Sequence, residues 1–311
     1  MPVVTLACQA MATRFEMVLH GDNPAALRAA GEAAVNEIEK LEDQLSLYRA
    51  WTEIAHLNAR AADEPVKVSP PVFALLKQAR ALSQETGGAF DITIAPLVRC
   101  WGFMHGSGRV PAAEQLAEAS ARVGMGLVEF HEAHSTVRFS RPGVMLDLGA
   151  IGKGYAIDRA VETLREAGVA SGLIHGGTST IYALGSPPNA DFWQVAIERP
   201  PNSAGLSDFP ETVALRDESL SVSAIWAKAF EAQGKSFGHL IDPRTGEPAS
   251  GAVLAAVILP SATETDALST ALLVGAREVH ERLAQSRPAI RTLLVLKAGN
   301  GLQVESRSLQ K

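Results

Sequence analysis

Met145-Leu-Asp-Leu-Gly-Ala-Ile-Gly-Lys-Gly-Tyr-Ala-Ile-Asp158 is the densest signal in the chain. Its apolar start predicts a short strand over 145–148, its glycines a tight turn, and Lys153 to Ala167 a helix that Gly168 ends. That order sets free backbone N–H groups and the positive end of a helix beside a lysine, which suits an anionic group. The spacing is Gly-x-x-Gly-Lys, with Gly154 where a Walker A loop needs Ser or Thr, and it is not the dinucleotide fingerprint either. On spacing alone, a plain strand-to-helix turn with a solvated lysine is the preferred reading of the stretch, because isolated glycine motifs often misfire.

Upstream, Phe15, Met17 and Leu19 alternate as in a strand. Asn23-Pro24 then opens a helix whose apolar positions Leu27, Ala34, Ile38, Leu41 and Leu45 recur at helical spacing. A second helix starts at Ser69-Pro70-Pro71 and stops at Gly87-Gly88, and a weaker one covers 111–123. Strands are predicted at 127–131, 136–139, 173–175, 180–183, 193–197, 213–215, 220–223, 237–241, 253–259 and 292–296, with helices at 263–274 and 277–284. The irregular alternation and hairpin-like spacings predict an α+β fold rather than a regular βαβ array. The loop 200–210, rich in Pro, Ser and Gly, is a candidate boundary between two lobes of one domain spanning 1–311.

The composition narrows the function classes. With 47% apolar and 20% charged residues, the chain of 311 residues can bury a sizeable core and is not disordered. Lys and Arg number 28 against 34 Asp and Glu, giving −6 with no basic block, which argues against a nucleic-acid partner. Cys8 and Cys100 form no Cys-x-x-Cys, so neither a disulfide framework nor a thiolate zinc site is expected. The longest apolar run, 252–259, falls far short of the roughly 18 residues of a membrane span. Thr5-Leu-Ala-Cys8 has the look of the end of a lipoprotein signal, but no basic residue precedes it and no apolar region fits before it. The expectation is a cytoplasmic protein, or a periplasmic one if its N-terminus has been trimmed.

Three more segments carry chemistry. In Thr265-Asp-Ala-Leu-Ser-Thr270, Asp266 and Thr270 share one helical face and offer hard oxygens of the kind Mg²⁺ accepts, although Asp266 would also suit a helix N-terminus by itself. Phe237-Gly-His-Leu-Ile-Asp-Pro-Arg-Thr-Gly246 places His239 at a strand end before a strong turn; histidine suits proton transfer near neutral pH, and equally serves as a hydrogen-bonded strand-end residue. Gly87-Gly-Ala-Phe-Asp-Ile-Thr93 sets Asp91 after a double glycine, where it lines a cleft or caps a turn. His131 and His134 lack acidic or thiol companions and are dismissed as ligands.

Together with Met11-Ala-Thr13, Leu45-Ser-Leu-Tyr48, Glu53-Ile54, Leu57-Asn58, Pro96-Leu97, Trp101-Gly-Phe103 and Gly176-Gly177, these segments in this order resemble the ApbE family of FAD:protein FMN transferases over nearly the whole chain. The resemblance implies an ApbE-like, T-fold-related α+β domain with the flavin between two lobes. It implies a Mg²⁺-dependent enzyme that cleaves FAD at its diphosphate, attaches FMN to a threonine hydroxyl of an acceptor flavoprotein and releases AMP. Carried over by position, Met11, Tyr48, Ala89, Phe90, Asp91, Asp147, Lys153 and Leu240 would contact FAD. The Ala150 carbonyl, Asp266 and Thr270 would hold the metal, and His239 matches the family's catalytic base. Two departures bear on the acceptor: Thr178-Ser179 follows the double glycine in place of an Asp, and Ser223-Ala-Ile-Trp226 stands where Ser-Gly-x-Tyr is usual. The alternatives from other classes are an FAD pyrophosphatase yielding FMN and AMP, and a non-catalytic FAD carrier.

Overall fold

An eight-stranded, wholly antiparallel sheet organises the chain, its strands lying side by side in the order 3–10, 13–20, 171–176, 180–184, 218–224, 252–259, 291–298 and 301–307. The structure, a computed structural model, describes residues 1–309 except 105–107, 202, 204–205, 207–208, 227–228, 233–234 and 300, with backbone alone at 229–230 and 235–236. The elements run β1 (Val3–Ala10), β2 (Thr13–His20), α1 (Pro24–Leu45), α2 (Glu53–Arg60), β3 (Val66–Lys67), α3 (Pro70–Glu85), α4 (Ala95–Cys100), α5 (Ala113–Ser120), β4 (Val128–His131) and β5 (Thr136–Phe139). They continue with α6 (Gly152–Glu166), β6 (Ser171–Gly176), β7 (Thr180–Leu184), β8 (Trp193–Ala196), β9 (Thr212–Leu215), β10 (Glu218–Ala224), β11 (Ala229–Ala232), β12 (Lys235–Gly238), β13 (Ala252–Leu259), α7 (Ala262–Ser286), β14 (Arg291–Ala298) and β15 (Gly301–Arg307).

The pleat sends alternate residues of β13 to opposite faces. Ala255 and Val257 join Phe15, Met17, Leu19 and Leu294 under α1, α6 and α7, while Leu254, Ala256 and Ile258 join Leu220, Leu293 and Val295 under the β8–β9 hairpin. With both faces covered, β13 is apolar throughout instead of alternating. A third, smaller cluster gathers Leu97, Cys100, Trp101 and Ile241.

The α+β expectation is borne out, and α1, α3, α6, β5 and β13 lie where periodicity puts them. Three local expectations are corrected. Residues 145–148 form no strand: the side-chain amide of Asn58 takes both backbone groups of Leu146, and the Asp147 amide bonds the Ile92 carbonyl at 2.7 Å, so these backbone groups are satisfied without a strand partner. The two helices expected at 263–274 and 277–284 are present as the halves of α7 on either side of a kink at Ala276 (φ 47°, ψ −129°). The strand expected over 237–241 ends at Gly238, leaving a lone bridge between Ile241 and Pro248, and the helix expected over 111–123 shortens to α5. Periodicity missed the edge strands β1 and β15 and the short α2, whose few buried positions leave little pattern to see. Of the candidate boundary loop 200–210, residues 202, 204–205 and 207–208 lie outside the described ones.

Candidate functional site

Two helix N-termini meet beside the sheet. In the turn before α6, Asp147 Oδ1 accepts from the Gly149 amide (2.8 Å), and the Gly152 amide bonds the Leu148 carbonyl (2.7 Å). A Cβ on Gly154 would lie 2.0 Å from the Ala262 carbonyl oxygen and 2.9 Å from Asp266 Cβ, so this glycine is required by the close crossing of α6 and α7. One turn further, the Asp158 carboxylate accepts from Ser261 Oγ, the Ala262 and Thr263 amides and Thr263 Oγ1 at 2.6–2.9 Å, capping α7 from outside its own sequence.

Asp266 thereby comes to the centre, 4% exposed. Its carboxylate accepts from Lys153 Nζ (3.1 and 3.3 Å), the Gly154 amide (3.1 Å) and Thr180 Oγ1 (3.3 Å), while Lys153 also reaches the Gly149 carbonyl (3.2 Å). Thr270 Oγ1 donates to the Asp266 carbonyl (3.2 Å) and lies 3.3 Å from Ser223 Oγ. Around them runs a buried hydroxyl seam: Ser219 and Ser221 of β10 lie 3.0 and 2.9 Å from Thr265 Oγ1, Ser221 bonds Thr180 at 3.1 Å, and Ser223 meets Ser269 at 3.0 Å. Sequence reasoning missed Thr180 and Ser221. The alternating Ser219-x-Ser-x-Ser223 on an interior strand was the signal for them.

The donor chemistry fits magnesium. Among the described residues no group of three or more His, Cys, Asp or Glu side chains converges as metal ligands would. One carboxylate, one hydroxyl and a turn carbonyl are hard oxygen ligands, few enough to leave positions for phosphates and water.

The remaining expected residues border this centre in different ways. Tyr48 is largely exposed; partial burial of its phenol and then the Asp147 carboxylate push its pKa up. Burial raises the Asp147 carboxyl above the usual range, opposed by the Gly149 amide and Lys153. Met11 and Ala12 form the two-residue β1–β2 turn, both at positive φ (52° and 56°). Asp91 is committed to structure: it accepts from the Thr93 amide (2.8 Å) and hydroxyl (2.5 Å), the Met125 amide (2.9 Å) and Ser83 Oγ (3.4 Å), and burial raises its pKa in spite of those bonds. Ala89 and Phe90 are buried, Ala89 lying against Gly275 just before the α7 break.

His239, half-buried, follows β12 at the root of a stiff loop. Leu240 accepts from the Ala249 amide (2.8 Å), Arg244 grips Asp242 through two bonds (2.9 and 2.8 Å), and Trp101 Nε1 donates to the Gly246 carbonyl (2.8 Å). Gly238 packs against Ile225, the residue that follows β10.

A model of the ApbE family matches residues 11–294, a span that holds every residue of the candidate site. The chain belongs to the ApbE family. Among its relatives, a protein of Haemophilus influenzae named FAD:protein FMN transferase is 28% identical, covering 99% of this chain and 91% of its own length. A Treponema pallidum protein of the same name is 32% identical over 89% of this chain and 80% of its own. The ApbE crystal structure from Thermotoga maritima superposes with a TM-score of 0.87 at 27% identity, covering 99% and 97% of the two chains. The apo flavinyl transferase ApbE of Pseudomonas stutzeri gives 0.84 at 27% identity, covering 99% and 95%. The fold described above is thus an ApbE fold.

Proposed function

We propose that this ApbE-family chain transfers the FMN moiety of FAD to a threonine hydroxyl of an acceptor flavoprotein and releases AMP. The single observation that supports this reading best is the cluster of Asp266, Thr270 and Lys153 at the meeting of two helix N-termini. Hard anionic oxygens and an ammonium there serve a diphosphate and a divalent cation together.

Asp266 and Thr270, with the Ala150 carbonyl, would hold Mg²⁺, which would neutralise charge on the phosphate oxygens. Lys153 adds a second positive charge at the same diphosphate, and the turn over 147–152 fixes where it starts from. Met11, Tyr48, Ala89, Phe90, Asp91, Asp147 and Leu240 would border FAD. Tyr48 offers an exposed ring to the flat isoalloxazine, whereas Asp91 acts by shaping the loop that carries Ala89 and Phe90. His239 would take the acceptor hydroxyl's proton as its oxygen bonds the FMN phosphorus; the diphosphate P–O bond breaks, and AMP leaves with the electron pair.

The test is incubation of the purified protein with FAD, Mg²⁺ and a threonine-bearing flavoprotein lacking covalent flavin. The expected product is acceptor whose flavin fluorescence survives denaturing gel electrophoresis, with one AMP per flavin attached. AMP and free FMN formed without acceptor would identify a pyrophosphatase, and unchanged FAD a carrier.

A further inference from the structure

Asp266 has two kinds of partner. The Gly154 amide holds one carboxylate oxygen and Thr180 Oγ1 the other, and both donors sit on rigid elements, the first turn of α6 and the start of β7. Thr180 is itself braced by Ser221. The third partner is an ammonium on a flexible four-carbon stem: Lys153 Nζ touches both oxygens, at 3.1 and 3.3 Å, and the Gly149 carbonyl at 3.2 Å. The fixed donors orient the carboxylate and leave the lone pairs that face the turn to the ammonium. Lys153 therefore makes the same connection, from the α7 carboxylate to a carbonyl-bearing turn before α6, that a cation held by Asp266 and the Ala150 carbonyl would make.

We propose that Lys153 is a resident stand-in for the divalent cation: its ammonium neutralises Asp266 until the metal enters, is displaced by it, and is thereby released toward the diphosphate. The metal's position and the diphosphate rest on the reading given under Proposed function. A carboxylate buried as deeply as Asp266 is costly without a counter-charge, so the apo site needs a cation of its own. An ammonium is a compact point charge that lets go without breaking a bidentate fork, as a guanidinium would have to. Two cations drawn to the same carboxylate repel each other, so entry of the divalent ion favours departure of the ammonium.

The test measures metal binding with neither FAD nor acceptor present. Mn²⁺ is titrated into the native protein, Lys153→Ala and Lys153→Arg, free Mn²⁺ being followed by electron paramagnetic resonance and folding by circular dichroism. Lys153→Ala, which leaves Asp266 unpaired, is expected to bind Mn²⁺ about ten-fold tighter than the native protein. Lys153→Arg, with its bidentate grip, is expected to bind about three-fold weaker. Equal or weaker binding by Lys153→Ala overturns the proposal. A second measurement needs no variant: saturating Mg²⁺ should raise the reductive methylation of Lys153 several-fold in the native protein, while Lys40, Lys67 and Lys77 stay unchanged. An unchanged Lys153 rate also overturns the exchange. Neither readout uses FAD, so failure of flavin transfer would leave both standing, and failure of the exchange would leave transfer untouched.

Discussion

Asn58 holds both backbone groups of Leu146, donating to its carbonyl at 3.0 Å and accepting from its amide at 2.7 Å, across 88 residues of sequence. A single side-chain amide thus does what a neighbouring strand would do for the segment that leads into Asp147 and the glycine turn. Replacing it with alanine leaves an amide and a carbonyl without partners, at about 1–3 kcal/mol for each buried group. Asn58→Ala is expected to lose about 2–6 kcal/mol in urea unfolding. A loss below about 1 kcal/mol would show that water replaces the amide.

Gly152 and Gly154 look alike in sequence but differ in space. A Cβ at Gly152 would find Leu148 Cβ 4.0 Å away, whereas one at Gly154 would collide with the Ala262 carbonyl. Gly154→Ala should cost about 1–3 kcal/mol or more by prising α6 from α7, and should weaken Mg²⁺ binding because the Gly154 amide holds Asp266. Gly152→Ala should be neutral or slightly stabilising. Thermal unfolding and metal titration of the pair check this, and equal behaviour would rule out the packing explanation.

Asp147 gives a pH dependence. Its folded pKa is raised, chiefly by burial, so its ionised form is disfavoured in the native state. The cost is absent at pH values below the reference aspartate pKa of about 3.9, grows as pH rises through the folded value, and is constant above it. Asp147→Asn keeps an oxygen for the Gly149 amide and should raise the melting temperature at pH 7 without ligands, the gain vanishing near pH 3. A gain that persists in acid would point to packing instead.

The Met11-Ala12 turn stores strain. Two-residue hairpin turns with both residues at positive φ favour Asn-Gly, and L-residues there cost about 1–2 kcal/mol each. Ala12→Gly should gain about 0.5–1 kcal/mol in stability after the glycine's greater unfolded-state entropy is counted. Met11→Asn should also gain stability, but weaken FAD binding in a fluorescence titration if Met11 touches the flavin nucleotide as its family position implies. Unchanged FAD affinity would release Met11 from that role.

Base and ligand separate kinetically. His239→Ala is expected to keep FAD affinity while lowering transfer by about 10²-fold or more. Asp266→Asn should lose Mg²⁺ dependence together with activity. Full transfer by the histidine variant, or an unaltered Mg²⁺ titration by the asparagine variant, would remove the respective role.

Local pattern alone carried a good deal. Helical spacing located α1, α3 and α6, alternation and apolar runs located β5 and β13, and the irregular mixture pointed to α+β. The motifs around Asp147, Lys153, His239 and Asp266 singled out candidate chemistry because those residue types sit at turns and helix starts. What periodicity encodes is which face of an element is buried, not which other element it is buried against. Tertiary structure therefore decided that Lys153 meets Asp266 across 113 residues, that Asp158 caps α7, that Gly154 makes room for a helix, and that Asn58 replaces a strand. Each of those contacts is polar or steric and depends on the crossing of two helices or the register of two segments, a relation in space that no local repeat along the chain specifies.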